Sequence, residues 1–331
     1  MTTTLTIDAI LKLTRTAATL RAQAAERGCP AERKALLIND ATVAESAVFP
    51  HFATALHAAA KIVVSSSGGK DSQVLLHETV AACDAEGIDR SKIVVVHSDL
   101  GRVEWEGTKA LAQRQAESYG IEFVVVSRIG GIATKSGKVY SKGEAFGDLL
   151  DYAERRGAFP DNSNRWCTSE FKRGPIAKLF TALAKDAKAA GVEPIILDLQ
   201  GLRAEESVAR SKKPVVKMRK DNKNQIVITW LPIIERLETE VWETIKSNGL
   251  ESHRAYELGM PRLSCAFCIF AGRDALLISG RANPALLDEY VAVEERTGHT
   301  FQNGKSLGEI KQAIADGEQP KAGKVEWAQC G

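Results

Sequence analysis

The sequence predicts an α/β protein built on an open, mostly parallel sheet. Three β-branched runs, 62–65, 93–97 and 123–126, alternate with segments of helical character around Leu75-Leu76 and Ala110-Leu111. Strands buried on both faces by crossover helices read this way. A glycine-rich turn, Ser65-Ser66-Ser67-Gly68-Gly69-Lys70-Asp71-Ser72, follows directly on the first run, as at the phosphate-binding ends of such sheets. With 331 residues, 44% of them hydrophobic, the chain can bury one large core, or a main domain with a smaller appendage.

Taken in order, residues 5–27 carry Leu5, Ile10, Leu11, Leu13 and Leu20 at helical spacing, and a second helical stretch runs over 32–60. Residues 1–60 are therefore expected to form a helical N-terminal appendage. The strands above open an α/β domain over 61–235. A fourth strand is expected at 195–199, after a helix over 175–190. Residues 215–219 and 225–230 flank Asp221-Asn222-Lys223-Asn224, a turn sequence suited to a hairpin. A helical segment is expected over 236–303, and the polar, glycine-studded residues 304–331 read as a mobile tail.

A formal charge of +2 from 44 basic and 42 acidic residues gives no overall field for or against nucleic acid. No stretch approaches the roughly 20 apolar residues that span a bilayer, and Met1-Thr2-Thr3-Thr4 lacks the basic start and apolar middle of a signal peptide. A cytoplasmic protein without membrane contact is expected. Of six cysteines only Cys265 and Cys268 are closely spaced, which in a reducing compartment reads as metal or redox chemistry. Cys29 and Cys83 read as structural or incidental thiols.

In the loop, successive backbone N–H groups, a helix N-terminus and the Ser67 and Ser72 hydroxyls suit an anion. Gly68 and Gly69 allow close approach of phosphate oxygens, and Asp71 and Ser72 fall in the first helical turn. Lys70 reads equally as a phosphate ligand or a surface lysine. The string is not of the Gly-x-x-x-x-Gly-Lys-Ser/Thr type; Ser67-Gly68-Gly69-Lys70-Asp71-Ser72 resembles the pyrophosphate (PP) loop of the ATP pyrophosphatases. That resemblance implies the adenine nucleotide alpha hydrolase-like fold and cleavage of ATP, with Mg²⁺, between the α and β phosphates.

The resemblance continues through His97-Ser98-Asp99-Leu100-Gly101, Arg165-Trp166-Cys167-Thr168, Lys172-Arg173-Gly174-Pro175, and Gly201-Leu202-Arg203-Ala204-Glu205-Glu206-Ser207 with Arg210. It ends with Pro232-Ile233-Ile234, Glu240-Val241-Trp242, and Tyr256 through Gly259 to Cys265 and Cys268. This ordered set is similar to that of the phosphoadenosine phosphosulfate (PAPS) reductase family and covers about residues 60–275. It implies catalytic roles for Asp71, Asp99, Lys172 and Arg203. It also implies nucleotide contacts from Ser65, Ser67, Gly68, Gly69, Lys70, Asp71, Ser72, Asp99, Arg165, Arg173, Gly201, Arg203, Ser207 and Arg210. Independently, Ser67, Asp99, Ser127 and Gly201 fall at strand carboxyl ends, where α/β sheets bind ligands. Asp99 also reads as a loop aspartate capping the next helix. His97 reads as a packed core histidine and is left out of the catalytic set.

Cys167, Cys265 and Cys268 are three soft ligands for a [4Fe-4S] cluster. The adjacent cysteine pair of cluster-containing adenylylsulfate (APS) reductases is incomplete, since Trp166 and Thr168 flank Cys167. The fourth iron is then open, or Cys330 closes the cluster. Cys330 alternatively resembles the near-terminal catalytic cysteine of thioredoxin-dependent PAPS reductases, and the Cys-x-x-Cys pair alone reads as a zinc or redox site. Lys212, Lys213, Lys217, Arg219 and Lys220 with Asp221 as the only acid between Arg210 and Lys223 suit a phosphate backbone, which makes nucleic acid a candidate substrate; a solvated hairpin edge accounts for the same charges.

The reading favoured by the intact loop, the cysteine triad and the basic hairpin is an enzyme that adenylates a substrate and transfers sulfur, resembling the sulfurtransferase of DNA phosphorothioation systems. A cysteine desulfurase or a thioredoxin-like protein would supply sulfur or electrons, and the N-terminal helices offer a homodimer surface. A PAPS or APS reductase releasing sulfite is the alternative, and a non-catalytic nucleotide-binding or regulatory module a third.

Overall fold

The structure, a computed structural model, describes residues 5–128, 131–134, 139–141 and 147–321. Three helices, α1 (Ile7–Ala24), α2 (Ala31–Val48) and α3 (Phe52–Ala58), lead into β1 (Lys61–Ser66), α4 (Lys70–Ala85), β2 (Ile93–Ser98), α5 (Thr108–Glu117) and β3 (Glu122–Ser127). Next come β4 (Gly131–Thr134), β5 (Val139–Ser141), α6 (Leu149–Arg156), the single turn α7 (Trp166–Thr168), a π-helical stretch Ser169–Arg173, α8 (Gly174–Ala189) and β6 (Ile195–Gln200). After α9 (Val208–Ser211), the strands β7 (Val216–Asn222) and β8 (Gln225–Trp230) precede α10 (Glu238–Ser247), α11 (Arg254–Glu257), α12 (Arg273–Ala282), α13 (Pro284–Thr297) and α14 (Leu307–Ala315).

The eight strands form one sheet in the order β5-β4-β3-β2-β1-β6-β8-β7. The central five are parallel, and β4, β5 and β7 add antiparallel edges. The expected α/β class with a mostly parallel sheet is thus the observed one. Alternate strand residues serve opposite faces, as the period of two requires. Ile62, Val64, Val95 and Leu197 pack with α1, α3, α4 and α5. Val63, Val94, Val96 and Ile196 pack under Leu179, Phe180 and Leu183 of α8. From β1 the chain moves outward to β2 and β3, then crosses to β6 and β8 on the other side. The carboxyl ends of β1 and β6 therefore flank a switch point, where open α/β sheets bind ligands.

The N-terminal helices are tied into the main core: Ile10 and Leu11 of α1 and Leu56 of α3 are buried with Trp230 and Met218. The expected hairpin is present with its turn narrowed to Lys223-Asn224, where Asn222 Oδ1 accepts the N–H groups of Asn224 and Gln225 at 2.9 and 3.0 Å. The expectation of a loose tail from Gly304 is corrected. Leu307, Ile310 and Ala313 bury one face of α14. The buried Glu294 carboxylate anchors its start, accepting from the N–H groups of Phe301 (2.7 Å) and Leu307 (2.9 Å) and from the Ser306 hydroxyl (2.7 Å). Cys330 lies outside the described residues. Among those described, no helix is long and apolar enough to cross a membrane.

Candidate active site

The loop between β1 and α4 turns at Gly68, whose φ is +71° and where a Cβ would lie 3.0 Å from the Thr108 carbonyl oxygen. A side chain is disfavoured there by both conformation and space. Ser66 Oγ accepts the Gly68 N–H at 3.1 Å. The Ser72 hydroxyl accepts the Ser67 N–H at 3.2 Å and donates to the Gly69 carbonyl at 2.9 Å, joining the two ends of the loop. From β6, Gly201 abuts the start of α4: a Cβ there would meet the Asp71 carbonyl oxygen at 2.9 Å. Ser65, Ser67, Gly69, Asp71, Ser72 and Gly201 form one wall of a cavity of about 400 Å³ at the switch point.

Arg165, Lys172, Arg173 and Arg210 of the predicted set line the same cavity. The π-helical stretch carries Lys172 and Arg173; such i→i+5 geometry is frequent at functional sites. Arg210 is held by Glu206, which also approaches Arg262 Nη2 at 3.3 Å. The Arg165 guanidinium lies 4.9 Å from the Phe270 ring centroid. Lys213, just before β7, adjoins this group: burial first, and then the positive charges of Arg210, Arg165, Lys217 and Arg173, lower its pKa.

Four predicted side chains are directed elsewhere. Lys70 is 2% exposed and donates to the Pro261 carbonyl at 3.1 Å, with Glu238 at 3.4 Å and Asp71 at 3.5 Å; it is neither a surface lysine nor a cavity cation. Its N–H donates to the Tyr256 hydroxyl at 2.9 Å. Arg203, also 2% exposed, donates Nε to Asp71 Oδ1 and Nη1 to Glu205, both at 2.6 Å. It positions Asp71 from behind the wall, a correction to its expected place on the nucleotide. Asp99 binds Lys109 at 2.7 Å and accepts the Gly101 N–H at 2.9 Å within the loop after β2; it is not the N-cap of a helix, since the single turn Gly101–Val103 starts from Leu100 and α5 from Gly107. Ser207 caps α9 by accepting the Arg210 N–H at 3.2 Å.

The far end of the cavity is lined by Cys167, Cys265 and Cys268, with Phe159, Phe267, Tyr290 and Phe301. None of the three cysteines is disulfide-bonded. Burial pushes the Cys265 thiol up to about 12 against the pull of Lys172. Burial also works against the Lys172 ammonium, but Cys265, Glu104, Cys167 and Cys268 outweigh it and raise the lysine's pKa. An isolated antiparallel bridge pairs Glu104 with Cys265. Among the described residues no three His, Cys, Asp or Glu side chains are placed to hold one metal ion. A zinc ion needs its thiolates converging at about 2.3 Å, whereas a cluster distributes its thiolates over several irons.

Sequence reasoning missed several cavity residues. His97 lines it, with Nδ1 3.1 Å from the Ser66 carbonyl and Nε2 3.3 Å from Glu104 Oε2. Arg219 lines it while donating to the fully buried Asp198 at 2.6 Å. Glu206 stood inside a quoted motif and could have been chosen as a partner for Arg210. Nothing local in the sequence points to Phe159, Tyr290 or Phe301.

The profile of the phosphoadenosine phosphosulfate reductase domain matches residues 61–271. The chain belongs to this family. That range runs from β1 through the Cys-x-x-Cys and so includes the loop, the cations and all three cavity cysteines; membership supports a nucleotide-using enzyme of the PP-loop kind. An uncharacterised protein of Methanocaldococcus jannaschii is 26% identical over 238 residues, which are 72% of this chain and 48% of that one. An uncharacterised 37.8 kDa protein of Escherichia phage 186 is 28% identical over 128 residues, 39% of this chain and 36% of its own. The chain thus spans about half or less of each of these curated relatives. Among solved structures, the PAPS reductase of Candida auris aligns at 13% identity and a TM-score of 0.37, covering 62% of this chain and 81% of that one. The FMN adenylyltransferase of Candida glabrata, solved with FAD and inorganic pyrophosphate, aligns at 12% identity and 0.41, covering 82% and 76%.

Proposed function

We propose that this PAPS reductase family member is an ATP pyrophosphatase-type sulfurtransferase. The observation that carries the reading is an intact Ser-Gly-Gly-x-Asp-Ser loop opening into the same cavity as Cys167, Cys265 and Cys268. The loop and the first turn of α4 bind the β and γ phosphates. Arg165, Arg173 and Arg210 offer cationic donors to the α phosphate and to charge developing on it. An acceptor oxygen attacks the α phosphorus, the α–β bridge bond breaks, and pyrophosphate leaves. Sulfide-level sulfur from an external donor then attacks the adenylated carbon or phosphorus, the bond to the adenylate oxygen breaks, and AMP leaves; no net oxidation is required.

Cys167, Cys265 and Cys268 fit a [4Fe-4S] cluster by donor chemistry and by their low-polarity aromatic surroundings. When bound, it would offer an iron at which sulfur can be held. The chain's own part is to keep that end of the cavity closed by Phe159, Phe267 and Phe301 and to balance the thiolates with Lys172. A polyanionic acceptor such as nucleic acid is supported by Arg173, Lys212, Lys213 and Lys217, which make no ion pair among the described residues, whereas Arg90, Arg114, Arg273 and Arg296 elsewhere on the surface are each paired.

A second reading, reduction of PAPS or APS by a thiol donor, is favoured by the family's namesake activity and the cavity thiols. Anaerobic incubation with ATP and, separately, with PAPS tests the two. Pyrophosphate release that depends on an acceptor supports sulfur transfer; sulfite release from PAPS without pyrophosphate from ATP overturns it. Nucleotide binding without either product supports a regulatory module.

A further inference from the structure

Tyr290 lies on α13, outside the residues matched by the family profile, and no sequence motif singles it out. It is 1% exposed and its ring is fixed on several sides. Phe159 stacks on it at 5.8 Å between centroids and 10° between planes; Phe267 and Phe301 approach at 5.1 and 5.5 Å. Three aromatic contacts of this kind leave the phenol little rotational freedom. The hydroxyl makes no hydrogen bond among the described residues, yet Tyr290 lines the cavity. The groups acting electrostatically on it are Cys265, Asp148, Cys268 and Cys167.

The ring packing holds the hydroxyl in place within the cavity wall. A phenol, with an ordinary pKa of about 10, is an O–H donor at neutral pH. The same three thiols act on the Lys172 ammonium, which also lines the cavity. The nearby Glu104 carboxylate is engaged by His97 at 3.3 Å and by the Leu100 N–H at 3.3 Å. A rigid donor and a cation thus line the same cavity as three sulfurs, within an aromatic wall.

We propose that the Tyr290 hydroxyl and the Lys172 ammonium form a subsite for a small sulfur-centred anion, hydrosulfide or sulfite, beside Cys167, Cys265 and Cys268. The C-terminal helices then complete the site rather than decorate it. Tyr290 is the specificity-determining member: its O–H donates to the anion, and its fixed ring sets where the anion sits. The proposal rests on the reading that sulfur chemistry takes place at these thiols, but it requires no ATP cleavage.

The test is binding of sodium hydrosulfide and of sodium sulfite, each measured by calorimetry on the full chain purified anaerobically under reducing conditions, with inorganic phosphate present to fill the loop. Tyr290→Phe keeps the ring and removes only the donor. Because hydrogen bonds to charged groups contribute about 1.5–3 kcal/mol, the variant should bind at least one of the two anions roughly 10- to 150-fold more weakly. Phosphate affinity and thermal midpoint should be unchanged, which a purely structural role for Tyr290 would not predict. Loss confined to hydrosulfide identifies a sulfur-transfer subsite, and loss confined to sulfite a sulfonucleotide one; either supports the proposal. Equal affinity of wild type and Tyr290→Phe for both anions overturns it, as does absence of anion binding in the wild type. Should Tyr290→Phe fold poorly, Lys172→Met asks the same question with the aromatic wall intact, and unchanged anion affinity there overturns the proposal too. Failure of pyrophosphate release from ATP would refute the adenylation step while leaving a Tyr290-dependent affinity standing.

Discussion

Replacing Arg203 by methionine separates a residue that contacts nucleotide from one that positions another side chain. Arg203 is 2% exposed, and its guanidinium holds Asp71 and Glu205 at 2.6 Å with Glu238 at 4.0 Å. Methionine fills much of the volume but removes the charge and, among the described residues, leaves Asp71 with Lys70 at 3.5 Å as its one cationic partner. Removing one partner of a buried ion pair costs about 3–5 kcal/mol. Glu205 and Glu238 are about half exposed and are rehydrated, so the lower end applies here, about 3 kcal/mol. Urea denaturation should show this as a lower midpoint at unchanged slope. ATP affinity, measured separately by calorimetry at a temperature where the variant is folded, should fall because Asp71 is no longer fixed on the loop wall. Adding Asp71→Asn to Arg203→Met should restore part of the lost stability, with a coupling of about 0.5–3 kcal/mol between the contacting residues. An unchanged urea midpoint combined with lost ATP binding would refute the reasoning, because it would mean that Arg203 serves the nucleotide and not Asp71.

Gly201→Ala should lower ATP affinity and cost about 1–3 kcal/mol, since its Cβ would meet Asp71 backbone at 2.9 Å, which cannot move without shifting α4; a variant with wild-type ATP affinity would contradict the close contact of β6 and the loop. Asp198→Asn should destabilise the protein by about 3 kcal/mol, because Asp198 is fully buried and accepts from Arg219, Gln200 and Thr229 at 2.6, 2.8 and 2.9 Å; an unchanged denaturation midpoint would sink that account. Triple replacement of Lys212, Lys213 and Lys217 by glutamine should weaken binding of a single-stranded oligonucleotide and flatten its salt dependence by up to about three phosphate contacts' worth, roughly 0.7 per contact in the log–log slope; an unaltered slope would show that the hairpin lysines are merely solvated.

The fold was legible because burial on both faces leaves long β-branched runs: 62–65, 93–97, 123–126 and 195–199 all lie within observed strands. The short edge strands β4 and β5 leave no such signal. α14 was taken for a tail because its apolar stripe is short, Leu307, Ile310, Ala313 and Ile314. Its decisive anchor, the carboxylate of Glu294, lies 13 residues before Leu307. Periodicity read within a short segment does not capture an anchor supplied by the preceding helix.

The site was legible wherever backbone does the work and much less so where long charged side chains do. Gly68 and Gly201 are dictated by φ and by contacts under about 3 Å, constraints that leave glycine as the residue that fits, so their positions carry over directly into geometry. Lys70 and Arg203 sit in the same segments, yet each ends on carboxylates behind the loop wall because Asp71, Glu205 and Glu238 meet there. A motif fixes which segments come together; the direction of a flexible cation is decided by where uncompensated carboxylates are buried, since leaving either charge unpaired costs several kcal/mol. The same logic explains the thiol end of the cavity. The cysteine spacing announced soft ligands, but the aromatic wall comes from residues 159, 290 and 301, brought together only when α6, α13 and α14 close around Phe267. Tyr290 is therefore the residue whose role sequence spacing could least have supplied, and the one whose hydroxyl the packing leaves without a partner among the described residues.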